Sequence, residues 1–390
     1  MRHCTKKNDS FQYEYHQSCA TLPQDWDTLL PNGHFLKRSN LKATQQSQLE
    51  HLSYIYVLVS NGDKPIAAIY FQLLRLQQHH LNEESLSSMS RIGWRAFTNI
   101  VKPRLLVAGH LFRHDVETYY YHESISPFEA YKIYNDVINE QLKTNCAYAV
   151  LVKDLPDNLV TYFQHYAPNY MLLRNDIMME LELSHEWNSL ADYEKALKHK
   201  YAQRFRKVRN AVAGLQIAEM NADQVEAEKQ TIYQLYKQVC EKQTARIGMI
   251  SEDFIPTLKK HNSEQLKVWG MRENGKLVAF FSAWVKEEAF DMFYIGFDYA
   301  RNADLMLYFN ILYCGVEQGI AHRKSKVIFG RTALDAKARL GCRPVYKSTF
   351  VLIRNKYIRM ATLRLQSNSQ SQEGEWEQRH PLKEIRKPNI

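Results

Sequence analysis

The stretch Val327 to Gly341, VIFGRTALDAKARLG, sets two cations beside a bend: Arg331 follows an apolar strand and a glycine, and Lys337 sits in a short helical run that ends at Gly341. An arginine at the end of a buried strand presents a planar fork that grips a carboxylate or a phosphate through two parallel hydrogen bonds. A lysine held nearby is a fixed positive charge. Each also has an ordinary reading, Arg331 as an internal ion pair fastening the strand to the next helix and Lys337 as a surface lysine. The elements that position them therefore decide.

Other chemistry finds less support. His110-Leu-Phe-Arg-His114-Asp115 has the HxxxxD spacing of a histidine base and its orienting aspartate in phospholipid acyltransferases, and its two histidines could pair on a metal. It follows a strand, no third metal ligand accompanies it, and the glycine-rich partner motif is missing. P-loop, GxGxxG and GxSxG patterns are absent, which removes the usual sequence support for nucleotide hydrolysis, dinucleotide redox chemistry and serine hydrolysis.

The surrounding elements repeat. Residues 54 to 60 meet Asn61-Gly62 and then residues 65 to 76, two β-rich runs joined by a hairpin signal; residues 266 to 272, Asn274-Gly275 and residues 277 to 285 do the same. After the first hairpin the pattern gives a strand at 104–110, a helix at 127–144 opened by Ser126-Pro127, a strand at 147–153, a helix near 157–166 and strands through 170–183. After the second it gives a strand at 289–298, a helix at 303–319, a strand at 326–329, a helix at 333–340 and a strand at 345–354. Each half is a mixed α/β layer structure. Between them, Ser189 and Asp192 open an amphipathic helix whose apolar positions run from Leu190 through Tyr193, Leu197, Tyr201, Phe205 and Val208 to Val212. Its other positions carry eight basic residues, Arg204 and Lys207 among them. Residues 366–390 lack apolar periodicity and read as a flexible tail.

Composition bounds the rest. At 390 residues the chain fits two domains, and 24 tyrosines with 45% hydrophobic residues argue against disorder. The six cysteines form no CxxC pair, and no run reaches membrane-spanning length, so a reduced, cytoplasmic protein without a transmembrane segment is expected. A net charge of +9 favours anionic partners without choosing among nucleic acid, phosphorylated cofactors and membrane surfaces.

Residues 190–354 resemble the GNAT superfamily of N-acyltransferases, in its Fem-type branch of two tandem GNAT-like lobes. The likeness is carried by the basic helix KHKYAQRFRKVRNAVAG, the hairpin VWGMRENGKLVAFFSAWV, the strand-loop-helix FYIGFDYARNADLMLYFNILYCGVEQGI, and the set Gly330, Arg331, Thr332, Lys337, Leu340 and Gly341. The resemblance implies an N-terminal lobe over 1–185, a catalytic lobe over 186–365 and a tail over 366–390, each lobe a mixed twisted sheet flanked by helices. It implies an acyl donor lying where strands 289–298 and 326–329 part. Tyr294 and Gly296 lie on the first strand and Arg331 and Thr332 follow the second. Arg301 stands beside a helix start suited to phosphate. The GNAT loop R/QxxGxG/A is absent, and residues 299–304 occupy its place.

On this reading Lys337 stabilises the oxyanion formed when an amine attacks the donor carbonyl, an effect of about 3 to 4 kcal/mol. Asp298, Tyr308 and His322 are candidates for the base. An acceptor α-amine near pKa 8 costs only about 1.4 kcal/mol to deprotonate at pH 7, an alkylamine near 10.4 roughly 4 to 5. The expected function is transfer of an acyl or aminoacyl group from a thioester or ester donor, with acyl-CoA the expected cofactor, acyl carrier protein or aminoacyl-tRNA the alternatives, and no metal. The acceptor is an amine on a small or lipid-linked molecule. Two alternatives stay open: an aminoacyl-tRNA-dependent transferase that extends a peptidoglycan peptide, with Arg204 and Lys207 tracking tRNA phosphates, and a non-catalytic nucleic-acid-binding protein. Peripheral contact with an anionic membrane is a further expectation.

Overall fold

The computed structural model describes residues 4–7, 11–47, 49, 51–81, 87–114, 116–173, 176–243, 249–360 and 377–383. Its strands are β1 (Cys4–Lys7), β2 (Gln12–His16), β3 (Leu52–Asn61), β4 (Lys64–Arg75), β5 (Arg104–Ala108), β6 (Tyr119–Tyr121), β7 (Ala149–Val152), β8 (Met171–Leu173), β9 (Ile177–Glu182), β10 (Gln216–Glu219), β11 (Leu266–Glu273), β12 (Lys276–Val285), β13 (Ala289–Phe297), β14 (Lys326–Ile328), β15 (Arg343–Tyr346) and β16 (Thr349–Ile353). Its helices are α1 (Gln24–Leu29), α2 (Arg38–Gln46), α3 (Ser88–Ala96), α4 (Pro127–Thr144), α5 (Asp157–Tyr166), α6 (Leu190–Ala196), α7 (His199–Asn210), α8 (Ala222–Ala227), α9 (Lys229–Cys240), α10 (Phe254–His261), α11 (Tyr299–Leu305), α12 (Leu307–Ala321) and α13 (Leu334–Ala338).

The chain forms two compact units, neither continuous in sequence: Met1–Asp176 with Gln243–Thr257 and Lys347–Gln370, and Ile177–Lys242 with Leu258–Tyr346 and Ser371–Ile390. The first has a sheet ordered β1-β2-β3-β4-β5-β7-β16-β8, with β6 also on β4. The second has β10-β11-β12-β13-β14-β9-β15. Pattern alone places residues 177–182 in the lobe 1–185 and residues 349–353 in the lobe 186–365. Yet β9 pairs with β14 and β15 of the second sheet, and β16 pairs with β7 and β8 of the first. Two of the crossings between units accordingly fall at 176/177 and 346/347, and the run 345–354 splits into β15 and β16.

Local signals explain most of the rest. Gly62 and Gly275 take positive φ at the two hairpin turns, which glycine adopts without strain. At the start of α4 the Ser126 hydroxyl accepts from the Glu129 amide and the Glu129 carboxylate accepts from the Ser126 amide, a reciprocal cap that fixes the helix at Pro127–Thr144. One side of the first sheet buries Tyr131, Tyr134 and Ile138 of α4 with Phe163 of α5; another cluster collects Trp26, Leu41, Tyr56 and Tyr70. In the second unit Tyr193, Phe205, Val208, Leu307, Ile311 and Tyr313 pack with strand residues Phe281, Phe290 and Val327.

The helix read over 189–212 is two. Leu197 is extended, with ψ 145°, and forms an antiparallel bridge with Leu382. The Lys198 amide donates to the Pro381 carbonyl (2.8 Å) and the Lys383 amide to that of Ala196 (2.8 Å). The described stretch 377–383 of the tail is therefore strapped to the second unit, where Leu382 covers Gly341. The helix read over 303–319 also breaks, at Met306, which lies in the left-handed region with φ 47°. Buried Asn310 holds this break by donating to the carbonyls of Leu305 (3.0 Å) and Val208 (2.8 Å).

Candidate active site

The slot arises from a mismatch in strand lengths. β13 and β14 pair in parallel only over Ala289–Asp291 against Lys326–Ile328, while β13 continues to Phe297. β14 instead follows β9: the Phe329 amide donates to the Met179 carbonyl (2.8 Å) and the Met179 amide to that of Gly330 (3.1 Å). Beyond Asp291 the two parallel strands therefore part. On its other side β13 stays zipped to β12, and the Asp298 amide donates to the Val278 carbonyl (2.9 Å). By antiparallel alternation the Gly296 backbone also bonds β12, so the amides of Ile295 and Phe297 face the side that β14 has left. Near the fork β13 carries a bulge. Buried Ser282 mends it, accepting from the Tyr294 amide (3.0 Å) and donating to the Tyr294 carbonyl (2.9 Å).

The bend after β14 delivers Lys337. Gly330 has φ +79°, a conformation that admits glycine freely, and Gly341, at φ +101°, ends the turn after α13. The Tyr193 hydroxyl donates to the Leu340 carbonyl (2.8 Å) and pins that end. Lys337 is 3% exposed, and its Nζ stands 4.0 Å from where a Gly330 Cβ would be. No carboxylate pairs with it among the described residues. Burial lowers its pKa from the ordinary lysine value to about 7, with the neighbouring Cys342 acting the other way. Buried Cys342 is pushed far up by the same desolvation. It also interacts electrostatically with Tyr308, whose phenol burial keeps neutral. The Tyr308 ring lies 6.0 Å from that of Phe297 at the end of β13. Lys337, Cys342 and Tyr308 thus gather where β13 and β14 part.

Other expected residues lie elsewhere or are already engaged. Asp298 caps α11, its carboxylate accepting from the Ala300 amide (2.9 Å), which explains its place without a role as base. Arg301 forks onto Glu273 through Nε (3.0 Å) and Nη2 and reaches Asp304 (3.4 Å), so it is not an open phosphate clamp. The start of α12 is served from within: the Tyr308 amide donates to the Asn302 side-chain oxygen (2.9 Å). Gly296 is explained by packing, since a Cβ there would lie 2.6 Å from the Leu235 carbonyl carbon of α9. Tyr294 sets its ring edge-on to Tyr236 of α9. His322 ends α12, about 22 Å from the helix start, with Nδ1 against the Gln318 carbonyl (2.8 Å). Arg331 is half-buried at the bend and Thr332 is exposed. On α7, Arg204 and Lys207 are exposed, Arg204 over the Phe309 ring at 4.6 Å. Cys342 and Ser282 were not read from sequence; a lone cysteine and a strand serine carry no local signal.

The corresponding strands of the first unit do not part. β5 and β7 pair from Leu105–Ala149 to Ala108–Val152, the whole of β7, and the Lys153 amide extends the ladder to Ala108 (3.0 Å). Lys153 Nζ donates to the His110 carbonyl (2.8 Å). His110 is buried, its Nδ1 accepting from the amides of Phe112 (3.1 Å) and Arg113 (3.0 Å), which fits a structural histidine better than a base or ligand. Asp115 lies outside the described residues. Among the described residues no cluster of side chains could hold a metal, and no helix is long and apolar enough to cross a membrane.

No protein-family model matches the chain, and no curated protein matches it. Solved structures do. FemX aligns over 87% of this chain and 97% of its own at 11% identity, with a TM-score of 0.52. A tandem GNAT protein from the clavulanic acid biosynthesis pathway aligns over 87% and 98% at 9% identity, with a TM-score of 0.50. Two mixed sheets flanked by helices, with the parting parallel pair in the second unit, give this chain the Fem-like, double-GNAT fold.

Proposed function

We propose that the chain is an N-acyltransferase whose second unit moves an acyl or aminoacyl group from a thioester or ester donor to an amine. The observation that carries this reading is a buried lysine with no carboxylate partner among the described residues, at the fork of two parallel strands whose inner amides are turned to the gap. The acceptor nitrogen, as free amine, attacks the donor carbonyl carbon. An N–C bond forms, and the C–S or C–O bond then breaks. The acceptor's proton leaves with the departing thiol or alcohol. Negative charge on the carbonyl oxygen is met by Lys337 and by an inward amide such as that of Ile295. In this scheme the Tyr308 phenol, kept neutral by burial, gives its proton to the leaving group and takes up the one that the acceptor nitrogen loses. Arg331 binds a carboxylate or phosphate of a substrate.

A specific observation favours an aminoacyl-tRNA donor over acyl-CoA. Asp298 and Asn302 serve the starts of α11 and α12 from within, and Arg301 is tied to Glu273, so the described residues form no anion cradle where a coenzyme diphosphate would sit. Meanwhile α7 exposes Lys200, Arg204 and Lys207, with Lys198 at its N-cap, a face suited to a phosphate backbone.

The test is a panel of acetyl-CoA, long-chain acyl-CoA, acyl carrier protein thioester and aminoacyl-tRNA, each scored for thermal shift and for amide formation. A true donor at 100 times its Kd stabilises by about 2.7 kcal/mol. Aminoacyl-tRNA is expected to give a shift that weakens with salt and with joint replacement of Arg204 and Lys207. Transfer should fall in Arg331→Ala at unchanged melting temperature. If no donor shifts the melt or yields an amide, the reading fails.

A further inference from the structure

Helix α3 is anchored by one side and leaves the other bare. Ser87 caps it by accepting from the Ser90 amide, the Trp94 indole donates to the Gln78 carbonyl (2.9 Å), and the Phe97 ring meets that of Tyr148 edge-on at 5.0 Å. No residue of α3 is buried. Met89, Ile92, Ala96 and Ile100 follow at steps of three and four, and Met89, Ile92 and Ile100 are 86%, 70% and 80% exposed. Val101 extends the stripe. A scattered exposed isoleucine is ordinary; a row along one helix face marks a surface that something covers.

Charge indicates what covers it. Between Ser87 and His114 every charged residue is basic. The stripe runs directly into Lys102 and Arg104, and Arg104 lies opposite Arg75 in the β4–β5 ladder. Like charges directly opposite on paired strands repel. Among the described residues no carboxylate pairs with Arg75, Lys102 or Arg104. The two arginines, with His51 and Asn145, line a recess of about 720 Å³ that has no carboxylate among its described lining residues.

We propose that α3 and the Ile100–Val101 turn dock this protein on an anionic lipid bilayer, the apolar stripe lying at the acyl boundary while Arg75, Lys102 and Arg104 meet headgroup phosphates. An apolar layer beside a phosphate layer is the arrangement that such an interface presents. The inference is independent of the transferase reading, and its test needs no activity.

Co-sedimentation with phosphatidylcholine vesicles, with and without phosphatidylglycerol, tests it. The full chain is expected to bind the acidic vesicles roughly tenfold or more better than the neutral ones. The charge-neutral pair Ile92→Gln and Ile100→Gln should lose roughly tenfold on acidic vesicles at an unchanged melting temperature. Arg75→Gln with Arg104→Gln should weaken binding and its dependence on salt. Equal binding by the Ile92/Ile100 variant would overturn the proposal, as would wild-type indifference to acidic lipid. So would a wild-type dimer that the glutamine pair makes monomeric, since a second copy would then own the stripe. Stabilisation by inorganic phosphate without vesicle binding would reduce the recess to an anion site and equally overturn it.

Discussion

Lys337→Met is expected to lose roughly 10²- to 10³-fold in turnover and at the same time to melt at a higher temperature than the wild type. The first effect follows from removing a charge worth about 3 to 4 kcal/mol to the developing oxyanion. The second follows from burial. Desolvation holds the folded-state pKa of Lys337 at about 7, below that of an unfolded lysine. Between those values the unfolded chain binds a proton that the folded chain does not, so this residue makes stability rise with pH across that window. Below about pH 7 the cost of a buried ammonium is present in full, on the order of 4 kcal/mol. Methionine fills similar space without that cost, which corresponds to a gain of several degrees at pH 6.5 that shrinks toward pH 10. Activity assays beside melting curves at both pH values check this. A variant that loses activity and also melts lower would make Lys337 a structural lysine with a hidden partner.

Gly296→Ala is expected to destabilise the second unit by about 3 kcal/mol, because the new Cβ meets backbone of α9 rather than a side chain that can swing away. Phe280 closes the other side, with a ring carbon 2.5 Å from the same point. The consequence for the site is indirect: α9 would have to retreat from β13. Chemical denaturation should show a lower midpoint with an unchanged slope. A normally stable Gly296→Ala protein that has lost donor binding would restore this glycine to the site, as the sequence first suggested.

The sequence was most legible where a local rule fixes the answer. Asn61-Gly62 and Asn274-Gly275 specify tight hairpin turns whatever surrounds them, and Ser126 with Glu129 specifies a helix start. Lys337 was legible as an element, a cation in a short helix between two glycines; its burial was not, since local pattern does not say how the bend, pinned at Leu340 by Tyr193, packs in three dimensions. The break at Leu197 was hidden because the apolar spacing runs through it unchanged, and only backbone bonds from residues 381–383 reveal why the helix stops. Arg301 looked open because Glu273 lies far back on another strand. The exchange of β9 and β16 was equally silent, since a strand's alternation says that it pairs and not with which sheet. Met89, Ile92, Ala96 and Ile100 have helical spacing, but pattern alone does not say whether such a face is buried or bare.

The most direct test of the oxyanion role is the ratio of wild-type to Lys337→Met kcat/KM followed across pH 5 to 9 with one donor and one acceptor. Titration of the acceptor amine affects both proteins and cancels in the ratio. If charged Lys337 stabilises the oxyanion, the ratio is large and flat below about pH 7 and falls roughly tenfold per pH unit above it. A ratio that rises through pH 7 would mean that the neutral amine acts, as a base, and a ratio near one throughout would remove Lys337 from the reaction.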